Sequence, residues 1–256
     1  MNYQDQQKGK EGFKPISNTP PDTFINKLKF RARLILDLQI NTIYHHLHQH
    51  LPSFRGKVLD IGCGQSPYKR LLDGEKTQYF GIDIEQAAEN FDYDNSDITH
   101  FDGQHIPFPD NSMDCLICTE VLEHSSNPQQ LVDEMYRVLK NDGIGILTVP
   151  WSARYHYIPY DYYRYTPSSL ANLFQNFSIK IIPRGTDVTV IVSKIIVAYF
   201  RALTSFNNIF LWLIQLLLCL IFMPFLLAGI VIAHLSLIFD LGSRDDPLGY
   251  TLLLRK

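Results

Sequence analysis

The sequence predicts an α/β protein whose core is a doubly wound sheet of seven mostly parallel strands, with an N-terminal helix and an apolar helical insertion before the last strand. Short apolar runs alternate with amphipathic stretches between residues 57 and 150, which is typical of parallel strands joined by helices. A further apolar run, at residues 249–256, returns after a long uncharged segment. With 256 residues, 46% of them hydrophobic and 19% charged, the chain is long enough to bury such a core.

The individual elements follow from the spacing of the apolar residues and from capping residues. A first helix is expected to begin after Asp22 or Thr23 and to run to about His50, because apolar residues recur there at helical spacing. Strands are expected at residues 58–61, 79–84, 113–119, 143–149, 178–182 and 249–256, with a weaker one ending near residues 101–102. Shorter helices are expected at residues 68–72, 129–139 and 168–174, the last with Thr166 as its N-cap.

Charge and cysteine content argue against several classes of function. The net charge of -3 and the pI of about 6.3 disfavour a broad basic face for nucleic acid. The four cysteines form no disulfide framework. Cys115 and Cys118 lie three apart on a predicted strand, so their side chains should point to opposite faces and share no metal or redox role. The histidines within residues 45–50 are interpreted as a solvated helix end, and no metal site is expected.

A glycine-rich turn after the first strand indicates a ligand-binding loop. The sequence Asp60-Ile-Gly62-Cys63-Gly64 lies between that strand and a predicted helix, where glycines let the backbone turn sharply and approach a ligand. The helix start offers unpaired backbone N–H groups. Asp83 ends the next strand, where a carboxylate accepts hydrogen bonds from ribose hydroxyls. Together these features predict a nucleotide-type cofactor.

A longer motif narrows the class of cofactor. The run Asp102-Gly-Gln-His-Ile-Pro-Phe-Pro-Asp-Asn-Ser-Met-Asp114 leads into an apolar strand and then into Glu120-Val-Leu-Glu123-His124. With the glycine-rich turn, this resembles the class I S-adenosylmethionine-dependent methyltransferases of the type 11 group, which includes the ubiquinone and menaquinone methyltransferase-like enzymes. The resemblance covers residues 58–150. It implies a Rossmann-like sheet and S-adenosyl-L-methionine as the cofactor.

The resemblance also implies roles for particular residues. The cofactor-binding residues that it implies are Asp60, Gly62, Cys63, Gly64, Asp83, Ile84, Asp102, Gly103 and Thr119. The pattern departs at Ser66, where a third glycine often stands. An NAD-dependent oxidoreductase on a similar sheet is an alternative, although the third glycine of its G-x-G-x-x-G motif is missing. A non-catalytic protein that binds S-adenosylmethionine is a further alternative.

Two segments that follow the fourth and fifth strands are expected to bind the methyl acceptor. Residues 155–166 resemble the P-x-D-Y-Y-R-x-T stretch of a subset of these methyltransferases, many of them associated with bacterial surface polysaccharides. The catalytic candidates are His124, His156 and Asp161, and the substrate-binding candidates are Glu120, Tyr162, Tyr163 and Arg164. Tyrosines can stack on a sugar-like acceptor, and an arginine can bind phosphate or carboxylate. The alternative is a loop packed by tyrosines with Asp161 and Arg164 paired, and a structural role for His124.

The segment of residues 202–239 contains no Asp, Glu, Lys or Arg, which predicts contact with a membrane. About 20 apolar residues span a bilayer, but a single crossing would leave the last strand on the wrong side. We therefore expect either two crossings or a shallow hairpin bent near Pro224, flanked by Lys194, Arg201 and Arg244 that meet anionic headgroups. Buried helices or a dimer interface are the alternative. With a membrane nearby, the expected acceptor is small or lipid-linked.

These expectations combine into a domain organisation and a location. The expected parts are a disordered N-terminus (1–21), a helical cap (22–52), a methyltransferase domain (53–190), an apolar membrane-associated insertion (191–243) and the final strand of the sheet (244–256). Residues 2–14 are polar and lack the apolar core of a signal peptide. The catalytic domain is therefore expected in the cytoplasm, associated with the inner face of the cytoplasmic membrane.

Overall fold

The centre of the fold is a sheet of seven strands, as the sequence predicts. The computed structural model describes residues 20–87, 98–204 and 208–256. The strands are β1 (Gly56–Ile61), β2 (Thr77–Ile84), β3 (Ile98–Phe101), β4 (Met113–Thr119), β5 (Leu139–Pro150), β6 (Ser178–Arg184) and β7 (Gly249–Arg255). Their order across the sheet is β3-β2-β1-β4-β5-β7-β6. Strands β1 to β5 pair in parallel, and β7 runs antiparallel to both β5 and β6.

This order determines where a ligand can bind. The strand order reverses between β1 and β4, which are neighbours in the sheet although β2 and β3 separate them in sequence. In open α/β sheets, ligands bind beyond the carboxyl ends of the strands at such a reversal. Here β1 ends at Ile61 and β4 ends at Thr119, so the glycine-rich turn and the turn after β4 lie side by side at the expected place.

Six described helices surround the sheet. They are α1 (Phe24–Leu36), α2 (Leu38–His50), α3 (Pro128–Val138), α4 (Pro167–Leu173), α5 (Asp187–Thr204) and α6 (Ile209–Phe239). Thr166 caps α4 as expected, because its side chain accepts from the backbone N–H of Ser169 at 3.1 Å. Three short 3-10 helices complete the structure at Leu51–Ser53, Lys69–Leu71 and Leu122–His124.

The single N-terminal helix that the spacing predicts is two helices. Thr23 caps the first by accepting from the backbone N–H of Asn26 at 3.1 Å, as expected. The helix then stops at Asp37, whose backbone is extended and whose carboxylate accepts from the N–H of Ile40 at 3.1 Å. An aspartate that caps a new helix competes with the continuing helical hydrogen bonds. The apolar periodicity continues across this break and therefore hid it.

Two further boundaries differ from the sequence-based expectations. The helix expected at residues 68–72 is only a 3-10 turn, in which the N–H of Leu71 donates to the carbonyl of Tyr68 at 2.9 Å. Strand β5 begins at Leu139 rather than at Gly143, so α3 ends one residue before it. The pairing of β5 with β4 shifts in register between Met113 and Cys115.

The two faces of the sheet bury separate apolar clusters. Cys118 lies in the larger one with Leu59 and Leu131, and Cys115 lies in the other with Ile43. The two thiols are thus on opposite sides of β4, as the strand period predicts. All four cysteines have free thiols and are buried.

Residues 209–239 of the apolar segment form one continuous helix, so the expected bend at Pro224 is wrong. Pro224 lies inside the 31-residue helix α6. The hairpin is formed instead by α5 and α6, because Ile196 and Leu226 share a buried cluster and the hydroxyl of Tyr199 donates to the carbonyl of Cys219 at 3.3 Å. An interior proline costs about 3 kcal/mol, and the packing of α6 against α5 opposes that cost.

The α5–α6 hairpin leaves the sheet and returns to it at one place. Arg184 at the end of β6 pairs with Gly249 at the start of β7. Among the described helices, α6 is the one long and apolar enough to cross a membrane, with a hydropathy of 2.9 and 22% of its most apolar window buried. Of the N-terminus expected to be disordered, residues 1–21, the part up to residue 19 lies outside the described residues.

Candidate active site

The glycine-rich turn after β1 is held between β2 and the turn after β4. Gly62 and Gly64 have φ angles of 68° and 52°, in the region that glycine adopts without strain. A Cβ atom on Gly62 would lie 2.2 Å from Cγ2 of Val121, so the backbone approaches the turn after β4 closely. A Cβ atom on Gly64 would meet no described atom within 4 Å. The N–H of Gly64 donates to Oδ2 of Asp83 at 2.8 Å, which fixes the turn to the end of β2.

Asp60 is a buried acid with one unsatisfied oxygen. The hydroxyl of Tyr79 donates to its Oδ2 at 2.8 Å, while its Oδ1 has no hydrogen-bond partner within the described parts of the chain. Burial raises the pKa of Asp60 to about 7, and the nearby charge of Asp83 acts in the same direction. The sequence analysis missed Tyr79. The two-residue period of β2 was a usable signal, because it places Tyr79 and Asp83 on one face.

The other two predicted acids have different surroundings. Asp83 is buried, and its carboxylate accepts from the backbone N–H groups of Gly64 and Ile84, each at 2.8 Å. Asp102 is exposed and caps the turn after β3, accepting from the N–H of His105 at 2.7 Å and from its ring Nδ1 at 2.8 Å. These backbone and side-chain hydrogen bonds lower the pKa of Asp102 to about 2. Asp102 is therefore ionised throughout the neutral range.

The remaining predicted cofactor residues border the same edge of the sheet. A Cβ atom on Gly103 would lie 3.2 Å from Cγ2 of Ile84, so the ends of β2 and β3 are in contact. The thiol of Cys63 is buried, and burial raises its pKa well above the usual range, which keeps it protonated. Thr119 ends β4 beside Thr148 of β5. All the predicted cofactor residues thus lie at or next to the carboxyl ends of β1 to β4.

The turn after β4 carries an ion pair that the sequence analysis missed. Glu120 has a φ of 53°, and its Oε1 lies 2.8 Å from a guanidinium nitrogen of Arg184. Arg184 is completely buried and also donates to the carbonyl of Val149 at 3.1 Å and to the hydroxyl of Thr42 at 3.2 Å. Glu120, which was predicted to bind the acceptor, is thus tied to the end of β6.

The predicted acceptor residues lie against this turn. Ring Nδ1 of His124 donates to the carbonyl of Tyr160 at 2.8 Å, and the N–H of Tyr162 donates to the carbonyl of Glu123 at 2.9 Å. Burial lowers the pKa of His124 to about 4, and the neighbouring His156 contributes to this shift. His124 is therefore a neutral imidazole at physiological pH. Tyr162 and Tyr163 are partly exposed, at 37% and 39%.

Asp161 organises the rest of the acceptor loop. Two guanidinium nitrogens of Arg164 donate to the two carboxylate oxygens of Asp161, at 2.5 Å and 2.7 Å. Nδ1 of His156 lies 3.0 Å from Oδ2 of the same carboxylate. Although burial alone would raise it, the pKa of Asp161 is held well below its usual range by the hydrogen bonds from Arg164 and His156. The pairing of Asp161 with Arg164 is the arrangement that the sequence analysis kept as its alternative.

Comparison with known proteins agrees with this geometry. A family model described as a methyltransferase domain matches residues 59–147. A ubiquinone biosynthesis O-methyltransferase of Glaesserella parasuis is 29% identical over 146 residues, covering 52% of this chain and 57% of that protein. A demethylmenaquinone methyltransferase of Listeria welshimeri is 29% identical over 97 residues, covering 34% of this chain and 41% of that protein. The chain thus spans about half the length of these relatives.

Solved structures support the fold over a longer stretch. The crystal structure of a SAM-dependent methyltransferase from Archaeoglobus fulgidus matches with a TM-score of 0.52 and 16% identity, covering 89% of this chain and 99% of that one. Residues 59–147 therefore belong to the class I S-adenosylmethionine-dependent methyltransferase domains, as the motifs predict. S-adenosyl-L-methionine is the cofactor of that class.

The residues present fit this cofactor. The unsatisfied Oδ1 of buried Asp60 suits a cationic ligand, which would restore the charge balance that burial disturbs. The open space over Gly64 admits a ligand. The carboxylate of Asp83 stands at the strand end where ribose hydroxyls are bound in such folds.

Proposed function

We propose that the protein transfers a methyl group from S-adenosylmethionine to a small or lipid-linked acceptor at a membrane surface, and that a cell-surface glycan intermediate is the acceptor. The observation that carries this proposal is the position of the turn 119–124. Its Val121 abuts the cofactor loop at Gly62, and its His124 holds the acceptor loop at Tyr160. One turn thus joins the two halves of the site.

In this proposal, the cofactor residues act by holding and orienting. S-adenosylmethionine supplies an activated methyl group on a sulfonium, so the chain does not have to generate a reactive carbon. Asp60 would balance positive charge, Asp83 would accept from ribose hydroxyls, and the fixed turn at Gly64 would set their distance. Alignment of this kind can contribute roughly 7–11 kcal/mol to a rate.

On the acceptor side, we assign the candidate residues different roles. The exposed ring faces of Tyr162 and Tyr163 are suited to stacking on a sugar ring. Asp161 is proposed as a positioning residue rather than a base, because its low pKa and its contacts with Arg164 and His156 leave it unsuited to accept a proton. The imidazoles of His124 and His156, whose ring centroids are 5.0 Å apart, are proposed to face the acceptor.

An apolar surface on α1 and α6 supports the membrane part of the proposal. Helix α6 exposes large apolar side chains along its length, among them Leu220 at 64% and Phe225 at 67%. Helix α1 exposes Phe24 at 82% and carries four basic residues within positions 27–33. The two helices touch where His234 Nε2 lies 3.0 Å from the carbonyl of Ile35. A basic amphipathic helix beside an apolar one is the pattern of a membrane-surface anchor.

Two measurements test the transfer reaction. Calorimetry of the full chain with S-adenosylmethionine should show binding at one site, and NAD should not compete. Mass spectrometry of lipids and glycans from cells with and without the protein should show the loss of one added CH2 group from a lipid-linked glycan. Cofactor binding with no methylated product in any membrane or soluble extract would favour the non-catalytic alternative.

Vesicle flotation tests the membrane part separately. The full chain should float with vesicles that contain anionic lipid, and Lys27→Gln/Lys29→Gln/Arg31→Gln should weaken this by about 1 kcal/mol per residue. Lys57→Gln/Lys180→Gln changes exposed lysines on strands β1 and β6 and is the matched control. Equal flotation of the two variants would contradict the proposal that helix α1 contacts the membrane surface.

A further inference from the structure

Two imidazoles and one carboxylate converge beside the turn after β4. One oxygen of Glu123, one ring nitrogen of His124 and one of His156 all lie within 4.8 Å of one another. Glu123 and His124 come from the 3-10 turn Leu122–His124, and His156 comes from the loop after β5. Two histidines with one carboxylate form the ligand set of many catalytic zinc sites and of non-haem iron sites.

The hydrogen bonds of the two histidines leave their outer nitrogens available as ligands. A carbonyl oxygen only accepts, so Nδ1 of His124 must carry the proton that it donates to Tyr160. Nδ1 of His156 faces two acceptors, the carbonyl of Arg154 at 2.9 Å and Oδ2 of Asp161 at 3.0 Å. In the neutral form of each ring, Nε2 therefore keeps its lone pair. A carboxylate behind a histidine, as Asp161 stands behind His156, is the usual outer support of a metal ligand.

Glu123 supplies an independent observation. Its side chain is completely buried, and neither carboxylate oxygen has a hydrogen-bond partner among residues 20–87, 98–204 and 208–256. The neighbouring acids are already compensated, Glu120 by Arg184 and Asp161 by Arg164. Burying a carboxylate without a partner is costly. Nε2 of His124 lies 3.7 Å from Glu123 Oε1, too far for a hydrogen bond.

We propose that Glu123, His124 and His156 bind one divalent first-row transition cation such as Zn²⁺ or Mn²⁺. Metal–ligand bonds of about 2.0–2.2 Å require the three ligand atoms to move slightly closer together than they stand here. Three protein ligands leave at least one coordination position open. Each histidine side chain is 19% exposed, so solvent reaches the cluster.

The position of the cation gives it a role in the proposed transfer, and this role rests on the proposed function. The turn that carries Glu123 and His124 also carries Val121, which touches the cofactor loop at Gly62. A hydroxyl of the acceptor that coordinates the cation would lose its proton to solvent more readily. Its oxygen then forms the bond to the methyl carbon as the sulfur–carbon bond breaks, and the sulfonium becomes a neutral thioether. The structure thus points to an oxygen nucleophile.

Cation binding can be measured without any acceptor. The full chain, made without a polyhistidine tag and stripped with chelator, is titrated with Zn²⁺, Mn²⁺ or Co²⁺ and analysed by elemental mass spectrometry, thermal unfolding and, for Co²⁺, visible absorption. We expect one equivalent of metal and a rise in Tm. Glu123→Gln and His156→Ala should weaken binding by more than the ~10–100-fold typical of lost outer-shell partners.

A matched control and a folding control keep the test decisive. His45→Ala/His48→Ala removes two exposed histidines of α2 and should leave the stoichiometry unchanged. Glu123→Gln replaces an unpaired buried carboxylate with a neutral group of the same shape, so its metal-free Tm should match or exceed that of the parent. No metal bound by the parent, or equal binding by Glu123→Gln, would overturn the site.

Measuring methyl transfer then tests the role of the cation separately from its binding. If metal binds and transfer to the acceptor rises on adding it, both parts of the inference hold. If metal binds and transfer proceeds equally after chelation, the role is wrong. If metal binds and no acceptor is methylated in its presence, the proposed function fails while the site stands.

Discussion

The two halves of the proposed active site are built from contacts of different range. In the cofactor half, which comprises the turns after β1, β2 and β3, the hydrogen-bond partners are near in sequence. Asp102 bonds to His105 three residues on, and Gly64 bonds to Asp83 nineteen residues on. Such contacts form as soon as one β-turn-β unit is in place. The cofactor half can therefore be encoded by a short motif.

In the acceptor half, which comprises the turn 119–124 and the loop 154–164, the contacts that join these segments to each other and to the sheet are distant in sequence. His124 and Tyr160 are 36 residues apart, and Glu120 and Arg184 are 64 apart. These contacts exist only once β4, β5 and β6 are assembled. The difference implies that mutations at the two halves should separate, with cofactor affinity responding to one and global stability to the other.

The largest effect that we expect comes from the buried arginine of the acceptor half. Arg184→Met should lower the free energy of unfolding by about 3 kcal/mol, because it leaves Glu120 and the carbonyl of Val149 without their buried partner. Urea unfolding monitored by circular dichroism measures this. A loss below about 1 kcal/mol would contradict the proposed difference between the two halves. The contact between Glu120 and Arg184 would then stabilise the fold no more than a surface ion pair does.

A double variant identifies the cause of that loss. Glu120→Gln/Arg184→Met removes both charges, so part of the stability lost in Arg184→Met should return if the unpaired carboxylate is responsible. An identical loss in the single and double variants would assign the effect to the carbonyl and to packing instead.

The difference in range also explains what could be predicted from the sequence. The sheet, its order of elements and the cofactor acids follow from apolar runs and from a motif within residues 58–114. Arg184 could not be predicted, because it is one charged residue at the end of an apolar strand and its partners lie in α2, β5 and the turn after β4. No local pattern marks a residue whose role depends on three other elements.

Three other features could not be predicted from the sequence. Asp37 ends α1 by capping α2, although the apolar period continues across it. Pro224 was expected to bend the apolar segment, but contacts between α5 and α6 keep the helix continuous. Glu123 and His156 lie 33 positions apart in the sequence, so their convergence with His124 was not foreseen and no metal site was expected. The cases of Pro224 and of Glu123 depend on tertiary contacts, whereas Asp37 is a local cap hidden by a continuing apolar period.

A smaller effect is expected in the cofactor half. Asp83→Ala should weaken S-adenosylmethionine binding by tenfold or more, roughly 1.4–3 kcal/mol, because it removes a charged hydrogen-bond acceptor and loosens the turn at Gly64. Calorimetry measures this, with Glu75→Ala at the opposite end of β2 as the control. A change in stability with unchanged affinity would show that Asp83 serves the turn alone.

The raised pKa of Asp60, in the cofactor half, predicts that stability and cofactor affinity depend on pH. Its pKa is about 7 because it is buried. Without cofactor, this raised pKa contributes stability that is complete below the ordinary pKa of about 4 and is lost as the pH rises through 7. A cationic cofactor binds the ionised form, so its affinity should rise by roughly tenfold between pH 6 and pH 8.

Two variants examine that profile. Asp60→Asn cannot titrate, so its affinity should be low and independent of pH across this range. Tyr79→Phe removes the hydroxyl that donates to Oδ2 at 2.8 Å and should move the midpoint of the profile upward. A midpoint unchanged in Tyr79→Phe would mean that the titrating group lies elsewhere.

The smallest effect concerns a local contact that serves the acceptor half. Asp37→Ala should cost about 1 kcal/mol of stability, as expected for a lost N-cap, and Gln49→Ala on the same helix is the control. Helix α2 carries Thr42, which accepts from buried Arg184. If the cap also positions that helix, Asp37→Ala and Arg184→Met should combine to less than the sum of their separate losses. Strict additivity would confine Asp37 to its own helix and leave the long-range contact as an independent unit.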